Sequence, residues 1–217
     1  MPAIETTKDT LTHYVFYTST NSEGKSDATG AFIPGATRFA RVNSGCKLVP
    51  VDCNPKPYYR LDKVMDALAS NTNQLDSITF FSHGWRNGIQ HGINVTNINA
   101  DPLIARALSY AKHINLYCCL TASDIKNGFA AVLAAKTGSR VFAHETKGHS
   151  YHNPYIAIFD HGRVWRSSPV DSDAGYTWFE FRKRMNEDGQ FIFNGVWSQK
   201  RKELGDFVEP KTTEATA

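Results

Sequence analysis

The sequence predicts an α/β protein, a three-layer αβα sandwich built on a mostly parallel sheet, and three observations carry that reading. Short apolar runs rich in β-branched and aromatic residues (HYVFYT at 13–18, SITFFS at 77–82, INLYCC at 114–119, RVFAH at 140–144) have the length and composition of buried strands. Between them, apolar residues recur at helical spacing: Leu61, Val64, Met65 and Leu68, then Leu103, Ile104, Ala107, Leu108 and Ala111, then Phe129, Val132 and Leu133. Strands that alternate with helices imply parallel pairing through crossovers, with both faces of the sheet covered. At 217 residues one domain is expected, over 1–208, with the Thr- and Glu-rich stretch 209–217 as a disordered tail.

Taken in order, the 13–18 strand opens the sheet. Ser19 to Gly35, loaded with Ser, Asn, Asp, Gly and Thr, reads as a long surface loop. Arg38–Val42 and Lys47–Val51 read as two strands, paired as a hairpin that turns at Asn43, Ser44 and Gly45. The helix through Leu61 follows Pro55 and Pro57 and ends near Asn71. After the 77–82 strand, His83 and Gly84 begin a Gly- and Asn-rich loop, so His83 stands at a strand's C-terminal end. A helix over Leu103 to Ala111 leads to the 114–119 strand. Thr121 and Asp124, three apart as in a capping box, place the next helix start near Ala122 and Gly138 closes it. Tyr155–Asp160 and Arg163–Arg166 form a hairpin turned at His161 and Gly162, and a helix is expected over Tyr176–Asn186.

Composition excludes several function classes. The formal net charge is only +3 and the basic residues are scattered apart from Arg182, Lys183 and Arg184, which gives no footprint for nucleic acid. The N-terminus lacks the charged start and apolar core of a signal peptide, and no segment has the apolar length of a membrane span, so a soluble, cytoplasmic protein is expected. The four cysteines, Cys46, Cys53, Cys118 and Cys119, are too few for a disulfide framework in a domain of this size and read as thiols.

The chemistry-bearing pair is His83 and Cys119. Cys119 lies 36 residues after His83, yet each ends a strand, and one right-handed crossover makes those strands neighbours. A cysteine hydrolase needs a thiolate nucleophile and an imidazole that takes the thiol proton and later delivers it to the leaving group. A helix beginning near Ala122 would aim its positive end at Cys119 and lower the thiol pKa. The backbone amides of Gly84 and Cys119 are the expected oxyanion donors, with glycine at 84 admitting a substrate carbonyl. Trp85 and Arg86 lie in the loop expected to touch substrate. Asp124 is expected to cap the helix.

The order strand, Ser82-His83-Gly84, helix, strand ending in Cys119 (LYCCLTA), helix, strand resembles the clan of caspases, gingipains, legumain, separase and the bacterial caspase-like and CHAT domains, over about Ser77 to Gly148. KTGSRVFAHETKG, from Lys136 to Gly148, is similar to the strand after that helix in bacterial members. The resemblance implies a caspase-like fold and a cysteine endopeptidase acting on protein or peptide, with His83 as general base, Cys119 as nucleophile and no cofactor. It departs at Cys118, where the family usually has Ala, Gly or Ser. Cys119 is preferred as nucleophile because Leu120-Thr121-Ala122 then falls in register with the bacterial pattern. The fold also has inactive relatives, so a non-catalytic interaction module is the second reading.

His144, Glu145, His149 and His152 crowd nine residues and invite a third reading, a metal-dependent hydrolase. HExxxH does not bring both histidines to one helix face as HExxH does, and Gly148 and Pro154 oppose a helix, so these histidines are expected instead at the rim of the cleft or capping loops. Gly148-His149-Ser150-Tyr151-His152 resembles a serine nucleophile turn but lacks the final glycine. Cys118 is expected to pack the sheet, and Cys46 and Cys53 to be inert.

Overall fold

In the computed structural model, which describes residues 11–20, 32–53, 57–147 and 155–166, β1 (His13–Thr20) sends Tyr14 and Phe16 into one core and Val15 into another. That alternation sets two buried faces, as expected for a strand inside a sandwich. The chain continues through α1 (Phe32–Val42), β2 (Cys46–Asp52), α2 (Pro57–Ala69) and β3 (Leu75–Phe81). A short hairpin, β4 (Gly84–Trp85) with β5 (Gly88–Ile89), leads to α3 (Val95–Ala100), α4 (Pro102–Leu108) and β6 (Ala111–Tyr117). Then come α5 (Phe129–Thr137), β7 (Arg140–His144), β8 (Ile156–Asp160) and β9 (Arg163–Arg166).

The main sheet has seven strands in the order β2-β1-β3-β6-β7-β8-β9. The first five run parallel, and β8 and β9 are added antiparallel. On one face Phe16, Phe80, Leu116 and Val141 meet Val64 and Leu68 of α2, Ile98 of α3, Ile104 and Leu108 of α4, and Phe129 and Leu133 of α5. On the other, Val15 and Phe81 meet Phe32, Ala36 and Phe39 of α1. Helices on both faces make the three layers. Stacked rings bind neighbouring strands, Phe16 on Phe80 at 5.3 Å and Phe81 on Tyr117 at 4.4 Å. Each pair contributes about 0.5–1.5 kcal/mol beyond its buried area.

Three expectations need correction. Arg38–Val42 is the second half of helix α1, because Phe32, Ala36 and Phe39 fall at helical spacing and press onto the sheet. The predicted 43–45 hairpin is instead the link from α1 to β2 in a crossover, and β1 and β2 pair parallel, His13 opposite Cys46. The predicted loop up to Gly35 overlaps this helix from Phe32 onward. The helix before β6 is shorter than predicted, ending at Leu108, and Ala111 already belongs to the strand.

β1, β3, β7, α2 and the β8–β9 hairpin fall close to where the sequence put them, whereas β6 starts and ends before the predicted 114–119 and leaves Cys118 and Cys119 just past the strand. His161 and Gly162 both have positive φ, 48° and 78°, as a two-residue type I′ turn requires. The predicted helix at 176–186 and the 209–217 tail lie outside the described residues. Among the described residues no helix is long and apolar enough to cross a membrane.

Candidate functional site

At the C-terminal edge of the sheet, β3 delivers Ser82, His83 and Gly84, and β6 delivers Cys118 and Cys119. The β3–β6 register sets Phe81 opposite Tyr117, so the residues that follow on each chain leave the ladder in step. Ser82 Oγ lies 3.3 Å from Cys118 Sγ in the core, on the side of Phe80 and Leu116. His83 and Cys119 follow just past the two strand ends, and His83 lies on the side of α1. There the His83 ring meets buried Phe32 edge-on at 5.0 Å and 85°. His83 is exposed and Cys119 half-buried.

Gly84 explains itself sterically. A Cβ at that position would sit 2.7 Å from Cys118 Cβ, 2.8 Å from the Cys119 carbonyl oxygen and 3.0 Å from Thr121 Cγ2. Its missing side chain makes room for the Cys118 and Thr121 side chains and the Cys119 carbonyl. The Gln90 amide donates to the His83 carbonyl at 2.9 Å, a ladder bond that extends the β4–β5 hairpin by one pair. Alternation then leaves Gly84, paired with Ile89, at a non-hydrogen-bonded position, its amide turned away from β5.

The two adjacent thiols differ in environment. Cys118 is buried, with Sγ 3.6 Å from the Phe80 carbonyl, and burial pushes its pKa up to about 12. It stays a thiol and packs the sheet, as expected. Cys46 is likewise pushed up to about 11 by burial, and Cys53 is fully buried with Sγ against Thr18 and the Val51 carbonyl. Cys119 is the thiol at this edge with solvent access.

Immediately after it the chain turns through Leu120 at φ 60°, a conformation that costs a non-glycine residue about 1–2 kcal/mol. Backbone bonds to the end of β7 hold the turn: Leu120 N–H donates to the Thr146 carbonyl at 3.2 Å and Ala122 N–H to the His144 carbonyl at 2.9 Å. Strain fixed by its surroundings is a mark of functional turns.

The helix expected from Ala122 starts at Phe129, with Gly128 as N-cap. Its first amides are already occupied, Phe129 N–H by the Arg86 carbonyl at 2.8 Å and Ala130 N–H by the Thr121 carbonyl at 3.1 Å. The anticipated dipole activation of Cys119 is therefore withdrawn. Thr121 and Asp124 share capping-box spacing but serve a loop: Thr121 Oγ1 donates to the Cys118 carbonyl at 3.0 Å, and Asp124 Oδ1 accepts from the Lys126 and Asn127 amides at 3.0 Å each. Those amides, with Arg86 beside them, hold the Asp124 carboxyl below its usual range.

Arg86, expected to touch substrate, instead reaches Asp124, Nη2 to Oδ2 at 2.5 Å. Trp85 is 45% exposed and stands on the wall of a groove of about 630 Å³ between α2 and the hairpin, shared with Leu61, Asp62, Asn87, Gln90 and Thr96. Neither His83 nor Cys119 lines that groove.

His91 is the residue that sequence reasoning missed. It lies fully buried beside this edge, Nε2 3.1 Å from Thr18 Oγ1, and burial with the neighbouring Arg60 guanidinium drives its pKa down to about 3. Arg60 in turn donates to the Gln90 and Cys53 carbonyls at 3.2 and 2.7 Å, tying α2 to this loop. A lone histidine between Gln90 and Gly92 carries no periodic signal, so nothing in the sequence marked it.

His144 is corrected from the rim to the interior: it is fully buried at the end of β7, its ring 6.3 Å from that of Tyr117. His149 and His152 lie outside the described residues. Among the described residues no group of three or more His, Cys, Asp or Glu side chains is gathered to hold a metal.

Comparison with protein-family models, curated proteins and solved structures returns no match.

Proposed function

We propose that this chain is a caspase-like cysteine endopeptidase, with Cys119 as nucleophile and His83 as general base. The observation that carries the reading is the β3–β6 register together with the 3.3 Å Ser82–Cys118 contact, which supports His83 and Cys119 leaving the same edge of the sheet, each two residues past its strand. In this reading His83 takes the Cys119 proton and the thiolate adds to a peptide carbonyl. The tetrahedral oxyanion is held by the amides of Gly84 and Cys119. Collapse expels the amine, protonated by His83, and leaves a thioester. Water activated by the same imidazole then hydrolyses the thioester and frees the thiolate. The outward amide of Gly84 and the strained turn at Leu120 support this assignment.

The chemistry needs no cofactor, and the substrate is a protein or peptide. Trp85 and its groove are the surface beside the dyad for a neighbouring part of the substrate. A cytoplasmic location accords with the thiols the mechanism uses.

The occupied amides at the start of α5 favour a second reading, a caspase-like interaction module without turnover, because one source of thiol activation is absent. Profiling cleavage of a peptide library, with Cys119→Ala as blank, separates the two. Cleavage by the native sequence that disappears in both Cys119→Ala and His83→Ala supports the peptidase. Cleavage that survives in both variants, or none by the native sequence, overturns it.

A further inference from the structure

We infer that Arg86 and Asp124 form a positioning latch that holds the β4–β5 hairpin against the loop after Cys119 and thereby sets the spacing of His83 and Cys119. The inference rests on the His83–Cys119 reading and adds two residues to it. Arg86 occupies the turn of the hairpin, whose base is Gly84 and, one residue earlier, His83. At that base the hairpin packs on Cys118 and the Cys119 carbonyl so closely that no Cβ fits. At the tip it is fastened twice through one residue: the Arg86 guanidinium to Asp124 Oδ2 at 2.5 Å, and the Arg86 carbonyl to the Phe129 amide at 2.8 Å.

The receiving carboxylate is also held by its own loop. Asp124 Oδ1 accepts from the Lys126 and Asn127 amides, and its backbone carbonyl accepts from Gly128 N–H at 3.0 Å. The loop that begins at the candidate nucleophile therefore ends in a fixed anion, and the hairpin that begins at the candidate base ends in the cation that meets it. The Arg86 side chain is 63% exposed, and an ion pair that open contributes little to folding. Its place, bridging the two chain segments that carry the dyad, gives it a role through geometry. Arg86 is thus a positioning residue, where the sequence had suggested a substrate contact.

The test compares Arg86→Ala, Asp124→Asn, their double variant and Arg86→Lys in the full chain. Asp124→Asn keeps the Oδ1 acceptor and removes the charge. Each single variant is expected to lower kcat by about tenfold with KM within about twofold. The double variant should be no worse than either single, and Arg86→Lys should recover part of the loss. Amide exchange at Phe129 is expected to quicken in both single variants. Unchanged kcat, an effect confined to KM, or additive losses overturn the latch. If the native sequence cleaves no peptide, the peptidase reading falls and exchange decides the latch alone: faster exchange at Phe129 in both variants sustains it, and unchanged exchange overturns it.

Discussion

Ser82 Oγ and Cys118 Sγ meet at 3.3 Å inside the core, one residue before His83 on one strand and one residue before Cys119 on the other. This buried contact ties together the two segments that lead from β3 to His83 and from β6 to Cys119. Burial thus divides the neighbouring cysteines, Cys118 being enclosed and Cys119 half-buried.

That division is open to chemical labelling. Brief treatment with iodoacetamide near neutral pH should modify Cys119 and leave Cys118, Cys53 and Cys46 unmodified, since burial raises two of these thiols and encloses the third. Both adjacent cysteines fall in the tryptic peptide from His113 to Lys126, so fragment-ion mass spectrometry must locate the label. A label on Cys118 would contradict the division.

Replacing the buried thiol should separate structure from chemistry. Cys118→Ala loses the contacts to Ser82 and the Phe80 carbonyl and is expected to destabilise the fold by roughly 1–2 kcal/mol, read from urea denaturation. Its peptide turnover should persist, whereas Cys119→Ala should abolish turnover with little loss of stability.

Gly84→Ala sets a methyl 2.7 Å from Cys118 Cβ and 2.8 Å from the Cys119 carbonyl oxygen. One neighbour is backbone and cannot rotate away, so the hairpin or the Cys119 turn must shift. A destabilisation of roughly 1–3 kcal/mol, measured by denaturant midpoint, is expected together with loss of turnover.

Acid should weaken the fold through His91. Folding lowers its pKa from 6.5 to about 3, so the unfolded chain takes up a proton below 6.5 that the native state refuses until about 3. Stability is therefore complete above that upper value and declines as pH falls through the window, by up to ~1.4 kcal/mol per pH unit for one proton. His13 and His113, also lowered by burial, steepen the decline. Urea midpoints across the window should drop less in His91→Gln; an unchanged slope would show that His91 is not responsible.

The legible parts of the fold were those where one periodicity ruled alone. β1, β3, β6 and β7 each hold a short, mainly apolar stretch rich in β-branched or aromatic residues, and the Leu61–Leu68 pattern of α2 has no competing signal. α1 was hidden because Pro34 and Gly35 break the local pattern of a helix that is stabilised by burying Phe32, Ala36 and Phe39 on the sheet. α3, VTNINA, consists mostly of weak helix formers and is started by a capping box between Asn94 and Asn97 that the Ser/Thr…Glu/Gln signature does not find.

The site was legible as a pair of strand ends and illegible as a surface. Thr121 and Asp124 matched a cap by spacing, yet their partners are Cys118, Arg86 and the loop's own amides. Arg86 was placed in the right loop, but its ion pair with Asp124 went unread, because only the folded chain brings residues 38 positions apart together. His91 answers to burial beside Thr18 and Arg60, which no local pattern encodes.

The unequal burial of Cys118 and Cys119 also bears on how this edge meets oxidants. A cysteine converted to sulfenic acid is commonly rescued when a second thiol nearby condenses with it to a disulfide. Cys118 adjoins Cys119 in the chain but is buried in the core against Ser82 and Phe80, as a high-pKa thiol poorly suited to attack. An oxidised Cys119 would have to be restored by a small-molecule reductant or a thiol of another protein.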